Sequence, residues 1–130
     1  MREDIKQELL KAQESKMETV VIYRYLSTRA KDPEVKATLL RMASDEGKHA
    51  GVIRKFTSKT LKRKEQPAFR FRMMTRIFGV KAMLRMMLTT EQKNVEAYRP
   101  AAKANSALRD VLKDEQRHVQ LLNDMLSKKK

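Results

Sequence analysis

The two histidines of this sequence each follow a glutamate by three residues, in two matched segments. Residues 45–49 and 114–118 both read Asp-Glu-x-x-His, and they contain both histidines of the chain. Residues three apart on a helix share one face about one turn apart, so each segment would present a carboxylate beside an imidazole. One Glu-x-x-His segment is common by chance, whereas two in the same context are rare. Carboxylate and imidazole donors together favour iron or manganese over magnesium.

Two further glutamates lie near the middle of other predicted helices, among apolar neighbours. On a helical wheel of about 100° per residue, Val21 and Ile22 flank Glu18, and Leu88 flanks Glu91. With the glutamates of the two matched segments, four acids would lie in one core. A buried, isolated carboxylate costs of order several kcal/mol, so these acids need compensating positive charge. Metal ions could supply it, and the alternative is neutralisation by Arg or Lys side chains or by protonation.

The first helix offers two candidate acids. Glu14 lies one turn before Glu18, and either could be the ligand from this helix. We prefer Glu18 because it precedes Tyr25 by seven residues, as Glu91 precedes Tyr98. Together with the matched segments, this repeat indicates a duplicated helical hairpin.

Four amphipathic helices are predicted to position these side chains. Apolar residues at helical spacing predict helices over about 3–30, 33–59 and 75–103, and a fourth that Asn105 or Ser106 caps and that runs to the lysine tail. Asp32 and Pro33 suit the N-cap and first residue of the second helix. Residues from 60 to about 74 lose the periodicity, which predicts a long crossover linker. The expected fold is an all-α four-helix bundle with a long crossover between helices two and three.

Length and composition limit the function classes further. A chain of 130 residues suits a single domain over residues 1–130. The absence of cysteine excludes disulfide scaffolds, zinc ribbons, iron–sulfur clusters and thiol catalysis. The sequence contains neither a secretory signal nor an apolar run near the roughly 18 to 20 residues of a membrane span, so we expect a cytoplasmic protein.

The matched segments and the Glu–Tyr pairs resemble the ferritin-like superfamily, and within it rubrerythrin-type domains, over about residues 5–126. The resemblance implies a centre of two iron ions, with manganese as an alternative, that reacts with O2 or H2O2. It implies six ligands, namely Glu18, Glu46, His49, Glu91, Glu115 and His118. The glutamates of the matched segments would bridge the ions, and the other two would be terminal. The electron relay of rubrerythrins that carry a rubredoxin domain is not implied, because this chain has no cysteine.

Other polar residues near the ligands would orient them. Asp45 and Asp114 precede the matched glutamates and are candidate partners of the imidazoles. Tyr25 and Tyr98 are candidates for the same supporting role beside the terminal carboxylates, and core tyrosines with no such role are the alternative.

The positive charge is concentrated in one part of the chain. Of the net charge of +14, the stretch 51–90 carries +10, from eleven Lys or Arg and one Glu. With Phe69, Phe71 and Phe78 interspersed, residues 54–85 are a candidate surface for an anionic membrane or an acidic protein partner. The alternative is a solvated basic linker packed on its own bundle. We do not expect nucleic-acid binding, because no nucleic-acid-binding motif is present and the phenylalanines are too irregular for a stacking platform.

Three hypotheses about function follow. The first is an oxidoreductase, of ferroxidase or peroxidase type, that handles iron or oxidative stress. The second is a non-catalytic metal-binding adaptor that docks through its basic face. The third is a di-iron hydroxylase at the membrane surface, similar to the ubiquinone-biosynthesis enzymes. Association into a homo-oligomer is compatible with each of them.

Overall fold

The computed structural model describes residues 3–58, 66–103 and 105–127, and within these residues it contains five helices and no strand. The helices are α1 (Glu3–Arg29), α2 (Pro33–Thr57), α3 (Gln66–Phe78), α4 (Val80–Ala102) and α5 (Ser106–Ser127). The predicted all-α class is confirmed. No described helix has the length and apolar character needed to cross a membrane.

The helix starts follow local capping chemistry. The Asp32 carboxylate accepts a hydrogen bond from the Glu34 N–H at 2.8 Å, and Pro33 is the first residue of α2. Before α5, the Asn105 side-chain oxygen accepts from the Ala107 N–H at 2.8 Å. These bonds satisfy N–H groups that have no partner within the helix, so the two caps fix where α2 and α5 begin.

Four of the helices form the predicted bundle. Helix α1 packs along α2 and α4 packs along α5, and contacts of α1 with α4 and of α2 with α5 join the two hairpins. Within the described residues, the diagonal pairs α1 with α5 and α2 with α4 make no comparable contact. Each of the four helices therefore presents one face to a common core.

The prediction of an unstructured linker over residues 60–74 was wrong for its second half. Helix α3 occupies that half, while residues 59–65 lie outside the described part of the chain. Phe71 and Thr75 are buried where α3 packs on α1 and α4, so tertiary packing stabilises this helix. The predicted third helix is also interrupted, because Gly79 adopts φ +89° between α3 and α4, a conformation that favours glycine.

The core of the bundle has three layers. One apolar cluster includes Tyr23, Leu39, Met87 and Leu122, and a second includes Leu9, Ile53, Tyr98 and Leu108. Along each of the four helices, buried polar residues lie between the residues of the first cluster and those of the second: Lys16 in α1, Glu46 and His49 in α2, Glu91 in α4, and Glu115 and His118 in α5. We call these six residues the polar layer.

Candidate metal centre

Four side chains of the polar layer converge from three helices. Glu46 of α2, Glu91 of α4, and Glu115 and His118 of α5 each offer one ligand atom, and these atoms all lie within 4.8 Å of one another. All four side chains are buried. The structure therefore brings four of the six predicted ligands into one group.

The two imidazoles pair with glutamates of the opposite hairpin. His118 Nδ1 lies 2.8 Å from Glu46 Oε1, and His49 Nδ1 lies 2.8 Å from Glu115 Oε1. The two rings face each other, with centroids 5.9 Å apart. The glutamate of each Glu-x-x-His segment thus contacts the histidine of the other segment.

The outer nitrogen of each imidazole contacts an aspartate. His118 Nε2 lies 2.9 Å from Asp45 Oδ2, and His49 Nε2 lies 2.9 Å from Asp114 Oδ2. Arg117 joins the two aspartates, with Nη2 at 3.3 Å from Asp45 Oδ2 and 3.2 Å from Asp114 Oδ1. These contacts fix both rings with Nδ1 directed inward, the orientation in which Nδ1 can bind a metal.

A lysine is the fourth helix's contribution to the polar layer. Lys16 of α1 is fully buried, and its ammonium forms ion pairs with Glu46 Oε2 and with Glu115 Oε1. It therefore contacts one carboxylate from each Glu-x-x-His segment. The alternative considered from the sequence, neutralisation of buried acids by Lys, applies to part of this site.

The charges within the polar layer shift several pKa values. Burial lowers the pKa of Lys16, but Glu46, Glu115 and Glu91 outweigh burial and raise it above its usual value. Burial also lowers the pKa of His118, yet its hydrogen bond to Glu46 and the nearby Glu91 carboxyl raise it to about 10. Burial would raise the pKa of Glu115, but Lys16 and the neighbouring hydrogen bonds hold it well below its usual range. The metal-free layer therefore contains two cations beside Glu46 and Glu115.

Glu91 behaves differently from the other carboxyls. Burial, the close approach of the Glu115 carboxyl and the charge of Glu46 raise the pKa of Glu91 well above its usual value. These surroundings favour the neutral, protonated form of its carboxyl while no metal is bound.

Two tyrosines make equivalent contacts with Lys16 and Glu91. Tyr23, seven residues after Lys16, donates a hydrogen bond to Glu91 Oε1 at 3.2 Å. Tyr98, seven residues after Glu91, lies with its ring centroid 5.4 Å from the Lys16 ammonium. Each tyrosine thus contacts the residue from the opposite hairpin, and Lys16 and Glu91 occupy equivalent positions.

The predicted contribution of the first helix differs from the structure. Glu18 is half-buried and Glu14 is exposed, and neither belongs to the group of converging ligand atoms. Tyr25 is likewise half-buried and lies under the Arg72 guanidinium of α3, 5.5 Å from ring centroid to carbon. The seven-residue pair that matches Glu91 and Tyr98 in space is Lys16 with Tyr23, two residues earlier in the chain.

The spacing of the buried residues along α1 indicates Lys16, which the prediction from the sequence did not include. Buried residues of α1 recur at alternating steps of three and four, at Leu9, Ala12, Lys16, Thr19, Tyr23 and Leu26. This is the pattern expected for a helix packed in a bundle, and it places a lysine in the core stripe. A metal ligand from α1 was expected to be an acid, so the prediction from the sequence did not include Lys16.

The donors present fit a metal ion on one side of the layer. Within the described residues, Glu91 Oε2 and Glu115 Oε2 are buried and receive no hydrogen bond from the protein. Buried carboxylate oxygens without a donor are suited to a cation. Three carboxylates and an inward Nδ1 form a set that suits iron or manganese. On the side of His49, the fourth carboxylate is replaced by the Lys16 ammonium, which cannot ligate a metal while it is protonated.

The comparison with protein families agrees with this arrangement. The model of the family described as Rubrerythrin matches residues 8–126, nearly the whole chain. No curated protein and no solved structure matches the chain. The match spans all four helices of the bundle and both Glu-x-x-His segments. The chain therefore belongs to the rubrerythrin family.

Proposed function

We propose that the protein binds iron at the polar layer, with manganese as the alternative metal, and that it oxidises Fe(II) with H2O2 or O2. The observation that supports this most directly is the orientation of the imidazoles, because the aspartate at each Nε2 directs Nδ1 toward the carboxylates. Glu46, Glu91, Glu115 and His118 would hold the ion. When bound, iron supplies the electrons.

The residues of the layer would manage protons during this exchange. An ion at His118 Nδ1 requires that this nitrogen lose its proton, and an ion at Glu91 requires that its carboxyl ionise. The apolar clusters above and below the layer exclude bulk water. With peroxide as oxidant, two Fe(II), one H2O2 and two protons give two Fe(III) and two water molecules, so each peroxide consumes two ferrous ions.

Metal binding can be tested by titrating the protein with Fe(II) under anaerobic conditions and measuring bound iron by elemental analysis. We expect Glu115→Gln to lose most of the bound iron, because it removes the carboxylate that both His49 and Lys16 contact. Glu96→Gln is the matched control, since Glu96 is an exposed acid of α4. Equal iron binding by the two variants would contradict the proposed ligand set.

Oxidation is tested separately from binding. H2O2 added to the iron-loaded protein should produce the near-ultraviolet absorption of Fe(III), with half an equivalent of peroxide consumed per iron. The same addition to air-free protein that lacks iron is the control. Iron that binds but is not oxidised faster than free Fe(II) would support the adaptor hypothesis over the oxidoreductase.

A second proposed function is docking on an anionic membrane, and the exposed face of α3 favours it. Phe69, Met73 and Ile77 recur every four residues along this helix, and 65%, 43% and 68% of their respective surfaces are exposed. The exposed Arg70 and Arg76 flank this apolar stripe. An apolar stripe between basic residues is typical of a helix that lies in the membrane interface. A cytoplasmic protein would thereby become peripheral to the membrane, as the hydroxylase hypothesis also requires.

Sedimentation with lipid vesicles tests this docking. Each basic residue near an anionic surface contributes about 1 kcal/mol, so the double variant Arg70→Gln/Arg76→Gln should bind phosphatidylserine vesicles roughly 30-fold more weakly. Arg41→Gln/Arg109→Gln, exposed positions of α2 and α5, is the matched control. Equal binding to uncharged vesicles would contradict the proposal, and binding to polyglutamate without binding to vesicles would favour an acidic protein partner.

A further inference from the structure

We infer that the Lys16 ammonium takes the place of one of the two metal ions of this fold, so that the chain binds a single divalent ion on the side of Glu91 and His118. This inference rests on the proposed metal binding and specifies its stoichiometry. It is supported by the position of Lys16, by its contacts and by the charge of the layer.

The position of Lys16 is that of a ligand. The reciprocal contacts of Tyr23 with Glu91 and of Tyr98 with Lys16 show that α1 and α4 present equivalent residues to the layer. A bundle that binds two ions uses a glutamate at both of these positions and a Glu-x-x-His segment on each remaining helix. This chain retains three of the four glutamates and places a cation at the fourth position.

The contacts of Lys16 are those expected of a bridging cation. Its ammonium lies against Glu46 and Glu115, the glutamates of the two Glu-x-x-His segments. The lysine side chain is fully buried, and within the described residues no other Lys or Arg side chain is. A buried ammonium between two carboxylates provides the charge that a metal ion between them would otherwise provide.

The charge of the layer favours one divalent ion over two. Four carboxylates balance two divalent ions, whereas three carboxylates and one ammonium balance a single divalent ion with both imidazoles neutral. A second ion in the presence of Lys16 would leave two uncompensated positive charges between apolar clusters. Uncompensated charge in such surroundings costs several kcal/mol per ion.

The converging ligand atoms also include only one of the two histidines. The group within 4.8 Å contains Glu91 and His118 and does not contain His49. His118 Nδ1 lies 3.7 Å from Glu91 Oε2, whereas the Lys16 ammonium and His49 Nδ1 both contact Glu115 Oε1. The retained ion therefore belongs with Glu91 and His118, and the ammonium replaces the ion beside His49. One bound Fe(II) supplies one electron, so two protein chains would be oxidised per peroxide.

Titration with Mn(II) tests the inference without measuring any activity. Bound manganese is measured by elemental analysis after gel filtration, and electron paramagnetic resonance distinguishes an isolated Mn(II) from an exchange-coupled pair. We expect one Mn(II) with an isolated-ion spectrum in the wild type. Lys16→Glu should bind one more Mn(II) than the wild type and show the spectrum of a coupled pair. Lys16→Met removes the charge without adding a ligand and should retain the wild-type number.

The outcomes separate this inference from the proposed function. Two tightly bound Mn(II) in the wild type would overturn the inference, and this measurement does not depend on any variant folding. Equal numbers in the wild type and Lys16→Glu would also overturn it, even if both bind one ion as the proposed function requires. No ion in the wild type would contradict both the proposed function and the single-ion stoichiometry, whatever number Lys16→Glu binds. Lys16→Glu is purified with Mn(II) present so that metal can compensate its four carboxylates during folding.

Discussion

The two helical hairpins, α1 with α2 and α4 with α5, supply equivalent residues to the polar layer except at one position. Both contribute a Glu-x-x-His segment whose imidazole pairs with the glutamate of the other hairpin, at the same distance of 2.8 Å. Both contribute a tyrosine that contacts the opposite hairpin. At the remaining position, α4 has Glu91 and α1 has Lys16.

The arrangement of the helices around the site therefore does not depend on the charge of the side chain at this position. The register of the helices, the aspartates beside the imidazoles and the tyrosine contacts all persist although one carboxylate is replaced by an ammonium. In the hairpin with Lys16, the cation beside Glu46 and Glu115 is part of the chain itself. The hairpin with Glu91 instead has a buried carboxyl whose pKa is raised well above its usual value.

The largest effect is expected when the charge of Lys16 is removed from the metal-free protein. Lys16→Met leaves Glu46 and Glu115 without the cation that both contact. Loss of one partner from a buried ion pair lowers the free energy of unfolding by about 3–5 kcal/mol. Denaturant unfolding in the presence of a chelator measures this change.

Lys11→Met is the control for that measurement. Lys11 lies in the same helix, but its side chain is 76% exposed and pairs only with the exposed Glu8. Its replacement should change the free energy of unfolding by no more than about 0.5 kcal/mol. If Lys16→Met were as stable as Lys11→Met, the buried ion pairs would not stabilise the fold and the contrast between the hairpins would fail.

Replacement at the equivalent position of the other hairpin should affect metal binding more than folding. Glu91→Gln introduces a neutral side chain that can accept the hydrogen bond of Tyr23, at a position where the raised pKa already favours a neutral group. Its metal-free stability should therefore stay within about 1 kcal/mol of the wild type. Its Mn(II) affinity should fall by more than the 10–100-fold typical of residues that only orient ligands. A titration that finds unchanged affinity would remove Glu91 from the ligand set.

The fold could be predicted from the sequence wherever local signals and packing agree. The caps at Asp32 and Asn105 and the long apolar periodicities give the bounds of α1, α2 and α5 to within a few residues. Helix α3 was missed because its exposed face carries Phe69, Met73 and Ile77, which obscures the amphipathic pattern. Its stability depends on packing of Phe71 against α1 and α4, which no local pattern shows.

The site could be predicted in part because its chemistry is encoded in short motifs. Glu46, Glu115 and His118 follow from the repeated Asp-Glu-x-x-His segments, and the pairing of each imidazole across hairpins follows only from the three-dimensional arrangement. Lys16 was missed because a buried lysine is uncommon and becomes favourable only beside carboxylates from other helices. The register of α1, read before residue types were considered, would have identified it.

Raising the pH should weaken the metal-free fold through His118. Its pKa is 6.5 when exposed and about 10 in the folded protein, so its contribution to stability is complete below 6.5 and is lost as the pH rises through 10. Between pH 7.5 and 8.5 the unfolded state has lost this proton and the folded state retains it. The free energy of unfolding should therefore fall by about 1.4 kcal/mol over that unit because of His118.

Denaturant unfolding at the two pH values, with a chelator present, measures this slope. Glu91 contributes in the same direction, because its pKa is also raised, and Asp45 and Glu46 face His118 as well. The comparison is therefore made with His118→Gln, whose slope should be shallower by about 1.4 kcal/mol per pH unit. Identical slopes would show that His118 is neutral in the folded protein.

The smallest expected effect distinguishes the two aspartates, and it reports directly on the asymmetry of the hairpins. Asp45 orients His118, and Asp114 orients His49, with equal distances of 2.9 Å. If one ion binds beside His118, Asp45→Asn should lower Mn(II) affinity by about 10–100-fold, and Asp114→Asn by roughly tenfold less. Arg117 contacts both aspartates, so each variant removes one of its ion pairs. The effect of this loss is therefore shared by the two variants. Equal losses would mean that both imidazoles serve the metal equally, and that the lysine of α1 does not make the two hairpins functionally different.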